Sequence, residues 1–337
     1  MSAKISVRDV ATAAGVSIAT VSRVLNATGY ASANVRARVN EAVQRTGYQP
    51  DFSARHLRTG RSRAVGFIVS NMGNPLLASL YSAVEMRMQV AGFNLLVTSS
   101  YQQPAKEAEL LALFENRRLE GVFALPATRD EPAARSPFLD CTLPLVLFDR
   151  DHDCDGDRVL LDHKDGVARA VQYLASLGHR RIAMLGPSPS IRPGRDKLLG
   201  YRQGLAAAGI AEDAGLVHML HSAVDSCEAE MEEMMGSPEP PTALIALGTR
   251  ILSGALKAAR RCGCRIPDDL SVIGIGTEDS FALSDPPLTS LRFNIMAAAA
   301  AAANLMLDRI NNNYSGPPRQ VTLPLDLVLG QSCHPTR

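Results

Sequence analysis

The sequence predicts a multidomain chain in which a small all-α helix-turn-helix domain precedes an α/β core of two doubly wound, parallel-sheet lobes. Three observations carry this. Residues 7–26 hold two short helical periodicities separated by a glycine, and from Ala64 onward short branched apolar runs alternate with helical patterns. Charge is also divided: residues 1–63 carry ten Lys and Arg against three acids, a net of +7, so the remainder of a chain whose total is +1 carries −6. At 337 residues, with 46% hydrophobic and 20% charged residues, the chain has the composition of a globular protein too long for one small core.

In the first domain, set at 1–47, Val7, Val10, Ala11 and Ala14 lie three and four apart and share one face of a helix. Gly15 ends that helix, because a tight turn between helices commonly needs a left-handed residue. Ser17 is placed to cap the next helix. Val21, Val24 and Leu25 form that helix's buried face, leaving Ile18, Ala19, Ser22 and Arg23 on other faces, free to meet DNA. An ordinary helical hairpin would show the same spacing; the basic head on an acidic body favours phosphate contact instead. A third helix starts at Ser32, uses Val35, Val39, Ala42 and Val43, and stops at Gly47. Residues 48–63 are basic, lack an apolar face and are bounded by Pro50 and Gly60. They read either as a flexible linker or as a short hinge helix that orders on DNA.

The core is expected over 64–337. Apolar runs at 64–70, 93–98, 121–125, 145–148, 181–185, 242–247 and 270–275 alternate with helical patterns at 76–90, 105–117, 164–177, 198–208 and 250–261. Strand alternating with helix implies parallel sheets covered on both faces, and the number of repeats implies two of them. Ligands in such sheets bind beyond the carboxyl ends of the strands. The polar tips there are 70–75, 99–102, 126–128, 149–151, 186–189, 248–250 and 276–278, enough to line an interlobe cleft for a small polar ligand.

No apolar run approaches the roughly 18 residues of a membrane span, and no signal-peptide core precedes the first helix, so a cytoplasmic protein is expected. The six cysteines show no C-x-x-C pair and read as reduced thiols. Phosphate-loop, G-x-S-x-G and His-Glu-x-x-His patterns are all missing, and His163 and His179 have no evident nucleophile partner. No enzyme activity, cofactor or metal is expected.

Several stretches together resemble the lactose-repressor (LacI/GalR) family of transcription regulators nearly end to end: VRDVA at 7–11, GVSIATVSRVLN at 15–26, GYQP at 47–50, ARHLRTG at 54–60, Asn74-Pro75, GHRRI at 178–182, Gly200-Tyr201 and PPLT at 286–289. The resemblance implies a periplasmic-binding-protein-like core with lobe 1 near 64–161 and 293–326 and lobe 2 near 162–292 and 327–337. It further implies a homodimer on a near-palindromic operator in double-stranded DNA, most often a repressor of carbohydrate or related catabolic genes. The matching positions put Ile18, Ala19 and Arg23 against base edges and Ser17, Thr20 and Ser22 against the backbone. Ser53, Ala54, Leu57 and Arg58 would serve a hinge whose leucine wedges into the minor groove. Asp51 departs from a frequent asparagine and places an acid near phosphates.

For the effector, the tips and the resemblance nominate Ser70, Asn71, Tyr101, Thr128, Asp149, Arg195, Lys197, Thr249, Arg250 and Thr277. Here the chain departs from sugar-binding members. Gly248-Thr249 and Gly276-Thr277 stand where acids are frequent, Lys197 where arginine is, and Leu76-Leu77 where aromatics are. With Arg150, Arg195, Lys197 and Arg250 in or near the cleft, an anionic effector such as a sugar acid or sugar phosphate is expected. The end of the chain lacks a leucine-heptad tail, so a dimer is preferred to a tetramer. A transporter's solute-binding protein, or a regulator answering to a protein, would share the body fold; the basic head disfavours the first and the polar tips the second.

Overall fold

The computed structural model describes residues 5–25, 29–48, 61–127, 136–220, 226–276, 281 and 284–336. The chain divides into two compact units, Met1–Ser62 and Arg63–Arg337.

The first unit holds helices α1 (Val7–Ala14), α2 (Ile18–Leu25) and α3 (Ala33–Thr46) around a small core of Val10, Ala11, Ala14, Val21, Val39 and Ala42. Asp9 accepts from the Ser6 amide and hydroxyl, both at 2.8 Å, closing a capping box at the start of α1. Those bonds lower the Asp9 pKa. At the far end Gly15 adopts φ +61°, and the Arg38 guanidinium lies where a Cβ would project, donating to the Ala14 and Gly15 carbonyls. The turn therefore needs glycine both for its left-handed backbone and for the arginine that seals it. Ser17 Oγ accepts from the Thr20 amide at 3.1 Å, which starts α2 as its sequence implies.

The second unit consists of two lobes. Strands β1 (Ala64–Val69), β2 (Asn94–Ser99), β3 (Val122–Ala124), β4 (Leu145–Phe148) and β5 (Asp157–Leu161) alternate with α4 (Pro75–Val90) and α5 (Pro104–Asn116). After β5 the chain passes to α6 (His163–Ser176), β6 (Ile182–Pro187), α7 (Arg192–Ala207), β7 (Val217–Leu220), α8 (Glu228–Met235), β8 (Ala243–Ala246), α9 (Thr249–Arg261), β9 (Ser271–Ile275) and β10 (Thr289–Arg292). It returns through α10 (Ile295–Ile310) to β11 (Gln320–Leu323) and ends with β12 (Asp326–Val328). One sheet has the order β11-β5-β4-β3-β1-β2 and is parallel throughout; the other has the order β12-β10-β9-β8-β6-β7, with only β12 antiparallel. Each lobe is thus completed by a strand that arrives after the other lobe.

Central strands are buried on both faces, as parallel sheets require. In the first lobe Phe67, Phe123 and Phe148 pack edge-on or tilted, with ring centroids 5.7–6.0 Å apart, on the face covered by α4 and α10, while Ile68, Leu110 and Phe114 fill the other. In the second lobe α6 and α7 lie so close that a Cβ on Gly200 would sit 2.3 Å from the Lys164 carbonyl oxygen. Among the described residues no helix is long and apolar enough to cross a membrane, and no cluster of potential metal ligands occurs.

Candidate functional site

The head presents one candidate surface. On α2, Val21 is fully buried, whereas Ile18, Ala19 and Arg23 are exposed, as is Ser17 ahead of it; Thr20 and Ser22 are half-buried. One turn of helix separates Ile18 and Ala19 from Ser22 and Arg23, so these side chains form a single outward strip. The Ser17 and Thr20 hydroxyls lie 2.9 Å apart. Arg23 has no ion pair among the described residues, which leaves its planar fork of donors uncommitted. Ser53, Ala54, Leu57 and Arg58 lie outside the described residues.

The body presents a cavity of about 210 Å³ between its lobes, at the carboxyl ends of both sheets. Of the nominated residues, Ser70, Asp149, Lys197, Thr249 and Arg250 line it. Asn71, Tyr101 and Arg195 do not. Asn71 Oδ1 accepts from the Gly73 amide within its own turn, and Tyr101 is 65% exposed with φ +51°. Arg195 pairs with Asp151 on the outer side of α7; two residues before Lys197, it lies about 200° around the helix from it. Thr128 and Thr277 lie outside the described residues.

Asp149, just past β4, is the centre of the cavity's charge. Its Oδ1 accepts from Arg192 Nη1 at 2.9 Å and from the Leu161 amide at 3.3 Å, and its Oδ2 meets His163 Nε2 at 2.6 Å. Arg192 also reaches the Leu161 carbonyl at 3.2 Å and Asp196 at 2.8 Å. Burial alone would raise the Asp149 carboxyl, but His163, with Arg150 and Lys197 beyond it, outweighs burial and holds it well below the usual carboxylate range. Burial lowers the His163 pKa against the pull of Asp149. The ring's Nδ1 is buried without a partner. Arg150, whose pKa burial also lowers, is tied to the Pro126 carbonyl at 2.8 Å.

Lys197 is buried, and its Nζ donates to the Leu247 carbonyl at 3.1 Å. Burial lowers its pKa to about 8, against the pull of Asp149 and with Arg150 adding to the decrease. On the other wall Asn74 caps α4 through the Leu76 amide and accepts from Thr249 Oγ1 at 3.2 Å, a second contact between lobes.

Behind Arg150 stands Glu107, on α5, accepting from the Ala127 amide at 2.7 Å. Burial pushes its carboxyl up to about 7, against that hydrogen bond, Ser100 and Arg150. A carboxyl raised on folding binds its proton more readily in the native state, so between about pH 4.5 and 7 stability should fall as pH rises. Glu107→Gln is expected to remove that slope. Urea midpoints at pH 5 and 7.5 check this: the wild type should lose more between the two pH values than the variant.

His163 and Arg192 were not nominated from sequence. The usable signal was position: each stands at the first turn of a helix that follows a strand's carboxyl end, where ligand-facing groups gather. His163 was weighed only as a catalytic base.

Comparison with known proteins agrees with this geometry. Residues 6–51 match the family described as bacterial regulatory proteins, lacI family, and residues 171–333 match the periplasmic binding protein-like domain. The chain is 31% identical over 308 residues to the HTH-type transcriptional regulator GalS of Salmonella typhimurium, covering 90% of this chain and 89% of that one. It is 28% identical over 335 residues to the HTH-type transcriptional regulator DegA of Bacillus subtilis, covering 98% and 99%. Among solved structures, the transcriptional regulator CelR in complex with cellobiose shares 27% identity, covers 97% of this chain and 99% of its own, and superposes with a TM-score of 0.72.

Proposed function

The chain belongs to the lacI family of bacterial regulatory proteins, DNA-binding transcription regulators, and from that premise we propose a homodimeric repressor of carbohydrate or related catabolic genes. Its near-palindromic operator is read by Ile18, Ala19 and Arg23, with Ser17, Thr20 and Ser22 on phosphates. A small anion in the interlobe cavity controls it. Ser53, Ala54, Leu57 and Arg58 form the hinge that the anion orders or releases.

The observation that supports control from the cavity is the position of Asp149. It belongs to the first lobe's sheet, yet its carboxylate is held by His163 and Arg192 of the second. A ligand bound beside it alters the contacts that set the angle between lobes, which is the form a hinge-closure switch takes. Coupling of this kind is reciprocal: an effector that weakens operator binding must itself bind the operator complex more weakly by the same factor.

Negative charge on the effector is supported by Lys197, whose ammonium makes one of three possible hydrogen bonds in a buried wall. A sugar acid or sugar phosphate answers that charge, and the cellobiose complex of CelR supports a carbohydrate. Calorimetry with matched neutral and acidic sugars tests it. The acid should bind more tightly at pH 7, and its affinity should weaken above about pH 8 as Lys197 loses its proton. Tighter binding of the neutral sugar would sink the anionic reading.

A further inference from the structure

We infer that the effector is a carboxylate with an apolar body, its carboxylate seated on Lys197 and its body against the aliphatic wall of the interlobe cavity. This rests on the cavity being the site of an anionic effector, keeps the charge of that reading and puts an apolar body in place of the sugar. The wall is strongly aliphatic: Leu76 and Leu77 from the first lobe face Ile191, Leu220, Leu247 and Ile251 from the second. No Phe, Tyr or Trp lines it among the described residues, so a sugar has no large ring face to stack on.

The polar groups are mostly taken. A carboxylate has about four acceptor positions, and three of those on Asp149 are occupied by Arg192, the Leu161 amide and His163, leaving little to receive sugar hydroxyls. Asn74 Oδ1 serves the Leu76 amide and Thr249, and the Ser188 hydroxyl is paired with Ser190 at 2.7 Å. Left for a ligand are the Lys197 ammonium, His163 Nδ1, the Asn74 side-chain N–H groups, and Ser70 with Gln102 on the first lobe. A sugar acid carries a hydroxyl on nearly every carbon, and those facing the aliphatic wall would be buried without partners, at a cost of about 1–3 kcal/mol each.

Charge favours an anion: among the described residues Arg150, Lys197 and Arg250 line the cavity against Asp149, leaving two positive charges, which Glu107 reduces wherever it is ionised. A cavity of about 210 Å³ suits an acid with one ring or a short chain.

Calorimetry on the full chain at pH 7 with benzoate, cyclohexanecarboxylate, hexanoate, D-gluconate, glucose 6-phosphate and glucose decides the matter. At least one of the first three is expected to bind tenfold or more tightly than any of the last three. Lys197→Met should weaken that ligand at least tenfold. Leu76→Gln, at a half-exposed position that folding tolerates, should weaken it about fivefold while leaving gluconate unchanged. Tightest binding by gluconate, glucose 6-phosphate or glucose overturns the inference but leaves a cavity effector standing. Affinity for the apolar acids that is unchanged in both variants overturns it too. If none of the six binds, this inference and the anionic reading of the cavity fall together.

Discussion

Arg23→Ala is expected to weaken binding to the preferred operator by roughly 5- to 150-fold per half-site, the range for losing one bidentate contact to a guanine edge. The reasoning begins with the helix. Val21 is completely buried, which fixes the rotation of α2, and Arg23, two residues on, must then point away from the three-helix core. Among the described residues its guanidinium has no competing ion pair, and Gly29 lies against its aliphatic stem at 3.4 Å from an added Cβ, which steers rather than neutralises it. Binding to random duplex should change little, because the other basic residues of the head still meet phosphates. Fluorescence anisotropy on operator and scrambled duplex at one fixed salt concentration checks this. An equal loss on both duplexes would assign Arg23 to the backbone instead.

Asp157→Ala is expected to have the largest effect on stability, about 3 kcal/mol or somewhat more. Asp157 opens β5 and is completely buried. Its Oδ1 accepts from Arg309 Nη2 and the Arg319 amide, both at 2.7 Å, and its Oδ2 from Arg309 Nε at 3.1 Å and Arg319 Nη2 at 2.9 Å. The carboxylate is saturated by two arginines 152 and 162 residues away, which anchor the return of the chain through α10 to β11. Removing it leaves two guanidiniums facing each other; their partial exposure keeps the penalty at the lower end of the range for a broken buried pair. Burial would raise the Asp157 carboxyl, but Arg309 and Arg319 outweigh that and lower its pKa. The stabilisation is therefore complete above the ordinary carboxylate range and is lost as pH falls below about 4. Urea unfolding at pH 7 and pH 3 should show a larger gap between wild type and variant at the first than at the second.

Much of the architecture was legible because its signals are local. The seven apolar runs correspond to β1, β2, β3, β4, β6, β8 and β9; apart from the edge strand β2 these are buried strands, which favour branched or aromatic residues. Buried β5 escaped because Asp157 and Arg158 leave only a three-residue apolar run; the other strands that escaped are ones whose burial depends on the rest of the chain. Edge strand β7 reads Val-His-Met-Leu and is mostly half-buried; β11 and β12 alternate between half-buried and exposed, and β10 pairs with a strand from the end of the chain. Helix α10 escaped for another reason: its Ala297–Ala303 stretch buries Ala298, Ala299, Ala302 and Ala303, yet alanine on every face gives no contrast between buried and exposed positions. The start of α7, six residues earlier than its pattern implied, followed from Pro193 at its first turn and placed Arg192 against Asp149, while Arg195 pairs with Asp151.

The head and the cavity differ in the same way. A cap, a left-handed glycine and a buried valine fix the outward strip of α2 within twelve residues. The cavity depends on Asp149, His163, Arg192 and Lys197 meeting across two lobes, and no spacing along the chain encodes that meeting. Its departures from sugar-binding relatives were legible as substitutions. That Asp149 was already nearly saturated was not.

The most direct test of the account is selection from a random duplex pool by the full-length protein at low and moderate salt, with sequencing of the bound fraction. The account predicts one near-palindrome, its half-sites about one helical turn apart, with affinity falling steeply as salt rises and enrichment lost in Arg23→Ala. Recovery of all sequences alike, with salt dependence but no enrichment, would contradict it and reduce the basic head to an electrostatic tether.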